Sequence, residues 1–179
     1  MKTNRSRLFA LIALSFIIGA GFAVARRNSI TIEQAKAPVP STKVTAALGT
    51  APLRALQATP QVTLYSISPH ALSASPAAAG KEKFGSWVVL GKTAVSGTQK
   101  NVLLQAFYEG ISRSGGTMLC FEPRHALRVQ NNGKSYDFVI CFACRQFTSP
   151  TQKYNQAINP EAQTVFDAIL KNAGVPLAG

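Results

Sequence analysis

The 179-residue sequence has few cysteines, few acidic residues and no periodic glycine, and each shortage excludes a class of protein. Three cysteines are too few for a small scaffold held together by many disulfides. Thirteen glycines and ten prolines without a period exclude a collagen-like chain. Glycine-rich phosphate loops and the helical H-E-x-x-H motif are also missing. The length fits one modest globular domain with additional sequence beside it.

Seven Asp and Glu residues stand against 19 Lys and Arg, which gives a formal net charge of +12. This excess is spread along the whole chain. Residues 81–179 hold eleven basic and six acidic residues, so this part is only mildly basic. Its basic residues form no block and no RNA-binding signature. We therefore predict no nucleic-acid partner.

Residues 1–25 have the pattern of a secretory signal peptide. Three basic residues precede an uncharged run from Leu8 to Ala25, and Ala23-Val24-Ala25 supplies a cleavage site of small residues. We predict cleavage after Ala25 and export to the bacterial periplasm or beyond. An uncleaved membrane anchor is the alternative, because the run approaches the length that spans a bilayer.

Residues 26–80 are predicted to form a disordered linker rich in Ala, Pro and Ser. They contain one aromatic residue, Tyr65, and six prolines. Such a composition cannot bury enough apolar surface to offset the loss of chain entropy. The alternation at Val62 to Ile67 indicates at most a short strand. Apart from the signal segment, the basic residues of this linker provide the only membrane contact that the sequence predicts, and a weak one.

Residues 81–179 hold eleven of the fifteen aromatic residues and are predicted to fold. A β-rich run at 84–95 precedes an apolar helical stripe at 99–112. Two further β-rich runs flank the turn signal at 131–134 and predict a hairpin. Capping and terminating residues mark a final helix: Asn159, Pro160, Gly174 and Pro176. The order predicts an α+β domain, with two helices packed on one face of a small antiparallel sheet that has a central hairpin.

The candidate functional residues cluster around this hairpin: Cys120, Arg124, His125, Cys141 and Cys144. The register of the hairpin decides which cysteines meet. A two-residue turn at Asn132-Gly133 places Cys120 and Cys144 on opposite faces, whereas a three-residue turn places them directly across from each other. Pro123 introduces a break that neither register includes.

Four interpretations of the cysteines remain open. The first is a structural disulfide from Cys120 to Cys144 or Cys141, which suits an oxidising compartment. The others are buried apolar cysteines, a zinc site that includes His125, and a thiol-redox pair at Cys141 and Cys144. The zinc spacing is unfamiliar, and no helical pattern follows the C-x-x-C pair. We expect structural cysteines and no cofactor, with zinc as the alternative.

His125 lies beside Arg124, where it could bind an anion or take part in acid–base chemistry. The spacing of the sequence places no Ser or Asp partner next to it. A hydrogen-bonded structural histidine is therefore the preferred interpretation. Asp137 is predicted to pair with Arg128 across the hairpin.

Two motifs complete the sequence signals, CFEPRH at 120–125 and CFAC at 141–144. With this CFxPRH and CFxC signature, the chain resembles a group of small secreted bacterial proteins of no known activity. The resemblance covers roughly residues 84–176 and implies no reaction. The group differs from this chain in having glycine at the position of Ala126 and an acidic residue at that of Ala143.

Together these observations predict an exported bacterial envelope protein. Its expected role is that of a non-enzymatic binding or structural module, which contacts an envelope protein or a small ligand through the hairpin. The alternative is a metal-binding or thiol-redox protein that uses Cys120, His125, Cys141 and Cys144.

Overall fold

A computed structural model describes residues 36–72 and 79–179. Within them the chain forms four α-helices: α1 (Thr42–Leu48), α2 (Thr50–Ala58), α3 (Gly97–Ser112) and α4 (Gln163–Asn172). A short 3₁₀ helix at Pro160–Ala162 leads into α4. The strands are β1 (Gln61–Leu72), β2 (Lys83–Phe84), β3 (Trp87–Ser96), β4 (His125–Asn131), β5 (Lys134–Cys141), β6 (Gln146–Phe147) and β7 (Gln156–Ala157). The predicted α+β class is confirmed.

These seven strands form one antiparallel sheet in the order β2-β3-β1-β4-β5-β6-β7. Strand β1 pairs with β3 on one side and with β4 on the other. It therefore joins the C-terminal hairpin to the strand that precedes α3. The two edge strands, β2 and β7, are only two residues long.

The prediction of a disordered linker is wrong for residues 42–72, which form α1, α2 and β1. Aliphatic side chains supply the apolar surface that aromatic residues were expected to provide: Val44, Leu48, Leu53, Leu56, Val62 and Leu64 are all buried. Pro52 lies in the first turn of α2, where a missing N–H group is tolerated. The sheet is consequently larger than predicted and carries two additional helices.

The proposed signal segment and residues 26–35 and 73–78 of the linker lie outside the described residues. Among the helices of residues 36–72 and 79–179, none is both long enough and apolar enough to cross a membrane.

The main core lies between the helices and one face of the sheet. Phe107 of α3 is fully buried, and its ring contacts those of Phe138, Phe147 and Phe166 at centroid distances of 5.7, 5.3 and 6.2 Å. These contacts hold α3 and α4 against β5 and β6. A smaller cluster covers the opposite face: Tyr65, Ile67, Phe84, Ala126 and Val139.

The central hairpin, β4 and β5, has the two-residue turn. Asn131 pairs with Lys134, and Asn132 and Gly133 have φ angles of 50° and 74°, as a type I′ turn requires. Arg128 lies opposite Asp137 and donates two hydrogen bonds of 2.7 and 2.6 Å to its carboxylate. The predicted hairpin and its ion pair are confirmed.

Candidate functional site

Of the two disulfides predicted for Cys120, to Cys144 or to Cys141, the one to Cys144 is present, with the two Cα atoms 5.5 Å apart. It lies beyond the paired part of the hairpin, since β4 begins at His125 and β5 ends at Cys141. The prediction that a two-residue turn would keep these cysteines apart is therefore wrong. Pro123 has no N–H group for the ladder. After β5, residues 142–145 form a turn in which the Arg145 N–H donates to the Phe142 carbonyl at 3.0 Å, so both segments leave the ladder before they reach the disulfide.

The remaining cysteine, Cys141, is a buried free thiol at the end of β5. Its Sγ donates a hydrogen bond to the Glu122 carbonyl and accepts one from the Cys144 N–H, both at 3.2 Å. The thiol thus links the segment before β4 to the turn after β5. A turn and then β6 follow Cys144, so the helix N-terminus that stabilises a reactive thiolate does not follow this C-x-x-C pair.

Cys120, His125, Cys141 and Cys144 are not arranged as zinc ligands. Zinc requires thiolates, whereas the sulfur atoms of Cys120 and Cys144 are bonded to each other. In the part of the chain that the structure describes, no group of three or more His, Cys, Asp or Glu side chains is arranged to hold a metal ion. The geometry gives the zinc interpretation no support.

His125 has a hydrogen-bond partner that the spacing of the sequence did not reveal. Its Nε2 lies 2.7 Å from Oδ1 of Asp167, which belongs to α4. Oδ2 of the same carboxylate accepts a hydrogen bond of 3.3 Å from Gln163, one turn earlier. The imidazole is packed edge-to-face against Phe142 and Phe166. These contacts join the start of β4 to α4.

Burial lowers the pKa of His125, because the apolar surroundings disfavour the charged imidazolium. The hydrogen bond and the negative charge of Asp167 act in the opposite direction, and the positive charge of Arg124 adds to the lowering. The net direction is downward from the ordinary value of 6.5. At neutral pH the ring is therefore neutral, and its Nε2–H group donates to the Asp167 carboxylate. Only 4% of the His125 side chain is exposed.

A cavity of about 220 Å³ opens beside this hydrogen bond, and six residues line it: Glu122, Arg124, His125, Phe142, Ala143 and Gln163. The guanidinium of Arg124 donates from Nε to the main-chain oxygen of Gly179 at 3.1 Å and from Nη1 to the Glu122 carbonyl at 3.4 Å. A guanidinium carries more N–H groups than these two bonds use. Arg124 is half-buried, so it offers donors to the cavity while its position is held by the backbone.

The structure divides the predicted candidates into two groups. Arg124 and His125 line one cavity, whereas the three cysteines hold together the open end of the hairpin. Asp167 and Gln163 were not among the predicted candidates, although two polar residues four apart on the predicted final helix share one face. Comparison with known protein families, with curated proteins and with solved structures finds no match to this chain.

Proposed function

We propose that this chain is an exported, non-enzymatic binding module of the bacterial cell envelope with structural cysteines. The observation that carries the proposal is that its reactive groups are engaged inside the fold. Two cysteines form a disulfide, and the third is a buried hydrogen-bonded thiol. The imidazole of His125 is buried against Asp167. A structural disulfide is typical of an oxidising compartment, which supports export.

The proposed ligand site is the cavity beside Arg124. Its volume of about 220 Å³ lies below the usual range for drug-sized ligands, so it suits a small molecule or one side chain of a partner protein. The planar guanidinium pairs well with a carboxylate through two parallel hydrogen bonds. We assign to this site a small ligand that carries a carboxylate, or an acidic side chain of an envelope protein.

The experiment that tests the structural role counts thiols and metal in full-length protein recovered from an oxidising compartment. One thiol per chain should react after unfolding without reductant, three should react after reduction, and no stoichiometric metal should be released. Three reactive thiols before reduction, or a metal released by both Cys120→Ser and His125→Ala, would contradict the proposal.

One observation favours the thiol-redox alternative, namely that Cys141 Sγ lies 3.2 Å from the backbone nitrogen of Cys144. A Cys141 thiolate that attacked the Cys144 sulfur would form a Cys141–Cys144 disulfide and release Cys120 as a thiolate. Mass-spectrometric mapping under limiting reductant distinguishes the two functions. The structural role predicts that Cys120–Cys144 persists until global unfolding, whereas exchange predicts a Cys141–Cys144 bond in the folded protein.

A further inference from the structure

Three exposed apolar side chains lie on two neighbouring loops at the β6–β7 end of the sheet. Within residues 36–70 and 79–179, five large hydrophobic side chains are exposed, and Met118, Leu119 and Tyr154 are three of them. Met118 is 53% exposed, Tyr154 is 71% exposed, and Leu119 is fully exposed. Exposed apolar residues that occur together indicate an interaction surface, whereas single ones need no explanation.

Both loops meet at Gln146, the first residue of β6. The Nε2 atom of Gln146 donates hydrogen bonds to the carbonyl groups of Met118 and Cys120. Its Oε1 atom accepts a hydrogen bond of 3.0 Å from Asn155, the residue after Tyr154. One buried amide side chain therefore fixes the two loops relative to each other.

The loop that carries Leu119 is also held on both sides of that residue. The backbone N–H of Met118 donates to the Cys144 carbonyl at 3.1 Å, and Cys120 is joined to Cys144 by the disulfide. The exposure of Leu119 is thus a property of a fixed loop. A loop that is already ordered loses little conformational entropy when its side chains dock.

Basic residues accompany the apolar ones. Segments 113–122 and 143–160 contain three basic residues, Arg113, Arg145 and Lys153, and one acidic residue, the exposed Glu122. Glu109 lies 3.8 Å from Arg113, and Glu161 lines a cavity together with Arg145, so two of these charges have acidic neighbours. Lys153 lies beside one of the exposed apolar side chains, with its Nζ 5.4 Å from the centre of the Tyr154 ring. Residues 36–179 as a whole hold fourteen basic and six acidic residues, which favours an anionic partner.

We propose that Met118, Leu119, Lys153 and Tyr154, here named the Leu119 surface, dock on an anionic lipid bilayer. Met118 and Leu119 would enter the boundary between headgroups and acyl chains, Tyr154 would lie at the headgroup level, and Lys153 would contact lipid phosphates. A fully exposed leucine suits a bilayer, because a bilayer accepts a protruding side chain without a complementary pocket. A specific protein partner buries roughly 800 Å² on each side, which is far more than four side chains offer.

The proposal does not depend on the Arg124 cavity, and it can be tested in the full-length chain with a local probe. Leu119→Trp adds an indole at the centre of the surface, and Leu90→Trp adds one on β3 as a matched control at another exposed leucine. Each variant is compared with the wild-type chain, whose single Trp87 provides a common background. The vesicles contain brominated phosphatidylglycerol or brominated phosphatidylcholine, which quench tryptophan emission on contact.

We expect brominated phosphatidylglycerol to quench the added tryptophan at position 119 several-fold more than the one at position 90. The quenching should fall in neutral vesicles, in high salt and in a Leu119→Trp, Lys153→Glu double variant. The control at position 90 also corrects for any bilayer contact that residues 1–35 make. Equal quenching at both positions, equal quenching by neutral and anionic vesicles, or none at position 119 would overturn the proposal. In the last case, crosslinking of position 119 to a protein would assign the surface to a protein partner.

Discussion

The surroundings of His125 and the Leu119 surface flank Cys120 in the sequence, and they use their side chains in opposite ways. His125, Asp167 and Gln163 turn their polar groups towards one another inside the fold. Met118 and Leu119 turn apolar side chains into solvent, while their backbone is held by Gln146 and the disulfide. Polar residues that usually indicate chemistry therefore contact one another inside the fold here, whereas two ordinary apolar residues are exposed.

The largest effect on stability is expected in the central strands of the sheet, which support both regions. Leu64 of β1 is fully buried and lies opposite Leu127 of β4. Leu64→Ala should lower the free energy of unfolding by about 2 to 5 kcal/mol, because it leaves a cavity in a packed core. Chemical denaturation monitored by circular dichroism measures this loss. An unchanged midpoint would show that residues 42–72 do not belong to the folded core.

Local signals account for the parts of the fold that the sequence predicted. Asn132-Gly133 specifies the hairpin turn, and Asn159 accepts a 2.9 Å hydrogen bond from the Glu161 N–H just before α4. Strand β1 was not predicted to be a full strand because its stability comes from pairing with β3 and β4, which are distant in the sequence. The His125–Asp167 hydrogen bond spans 42 positions and depends on how α4 packs, which no local pattern reveals.

Removal of the disulfide should affect both regions, because Cys120 lies between them. Cys120→Ser should lower the free energy of unfolding by about 2 to 4 kcal/mol, or less because the hairpin already holds the 24-residue loop closed. Thermal unfolding with and without reductant measures this loss. Reductant should lower the melting temperature of the wild type to that of the variant and leave the variant unchanged. A variant as stable as the oxidised wild type would argue against a structural disulfide.

His125→Ala should be milder, with a loss of about 1 to 3 kcal/mol at neutral pH, because it removes one buried hydrogen bond to a carboxylate. The pH dependence of the free energy of unfolding is a more specific test of the role of His125 than the size of the loss. Because the pKa of His125 is lowered in the folded state, the unfolded chain binds the additional proton first as pH falls. The contribution of the neutral ring is complete above pH 6.5 and is lost as pH falls from there through the lowered pKa.

Denaturation curves between pH 7.5 and about 5 test this sign. The wild type should lose stability over this interval, and a His125→Gln variant should lose less, because glutamine keeps a donor but cannot be protonated. A steeper loss in the variant would mean that His125 is charged in the folded protein. In that case His125 would form an ion pair with Asp167, and the interpretation of His125 as a neutral structural group would be wrong.

The smallest effect on stability is expected at the Leu119 surface. Leu119→Ser changes a side chain that is fully exposed, so the free energy of unfolding should stay within about 0.5 kcal/mol of the wild type. Leu127→Ala, at a fully buried leucine of β4, is the contrasting variant and should cost about 2 to 5 kcal/mol. Denaturation of both variants under one condition measures the difference. A large loss of unfolding free energy in Leu119→Ser would show that Leu119 packs against the protein. The apolar side chain would then stabilise the fold, and its exposure would no longer support docking on a bilayer.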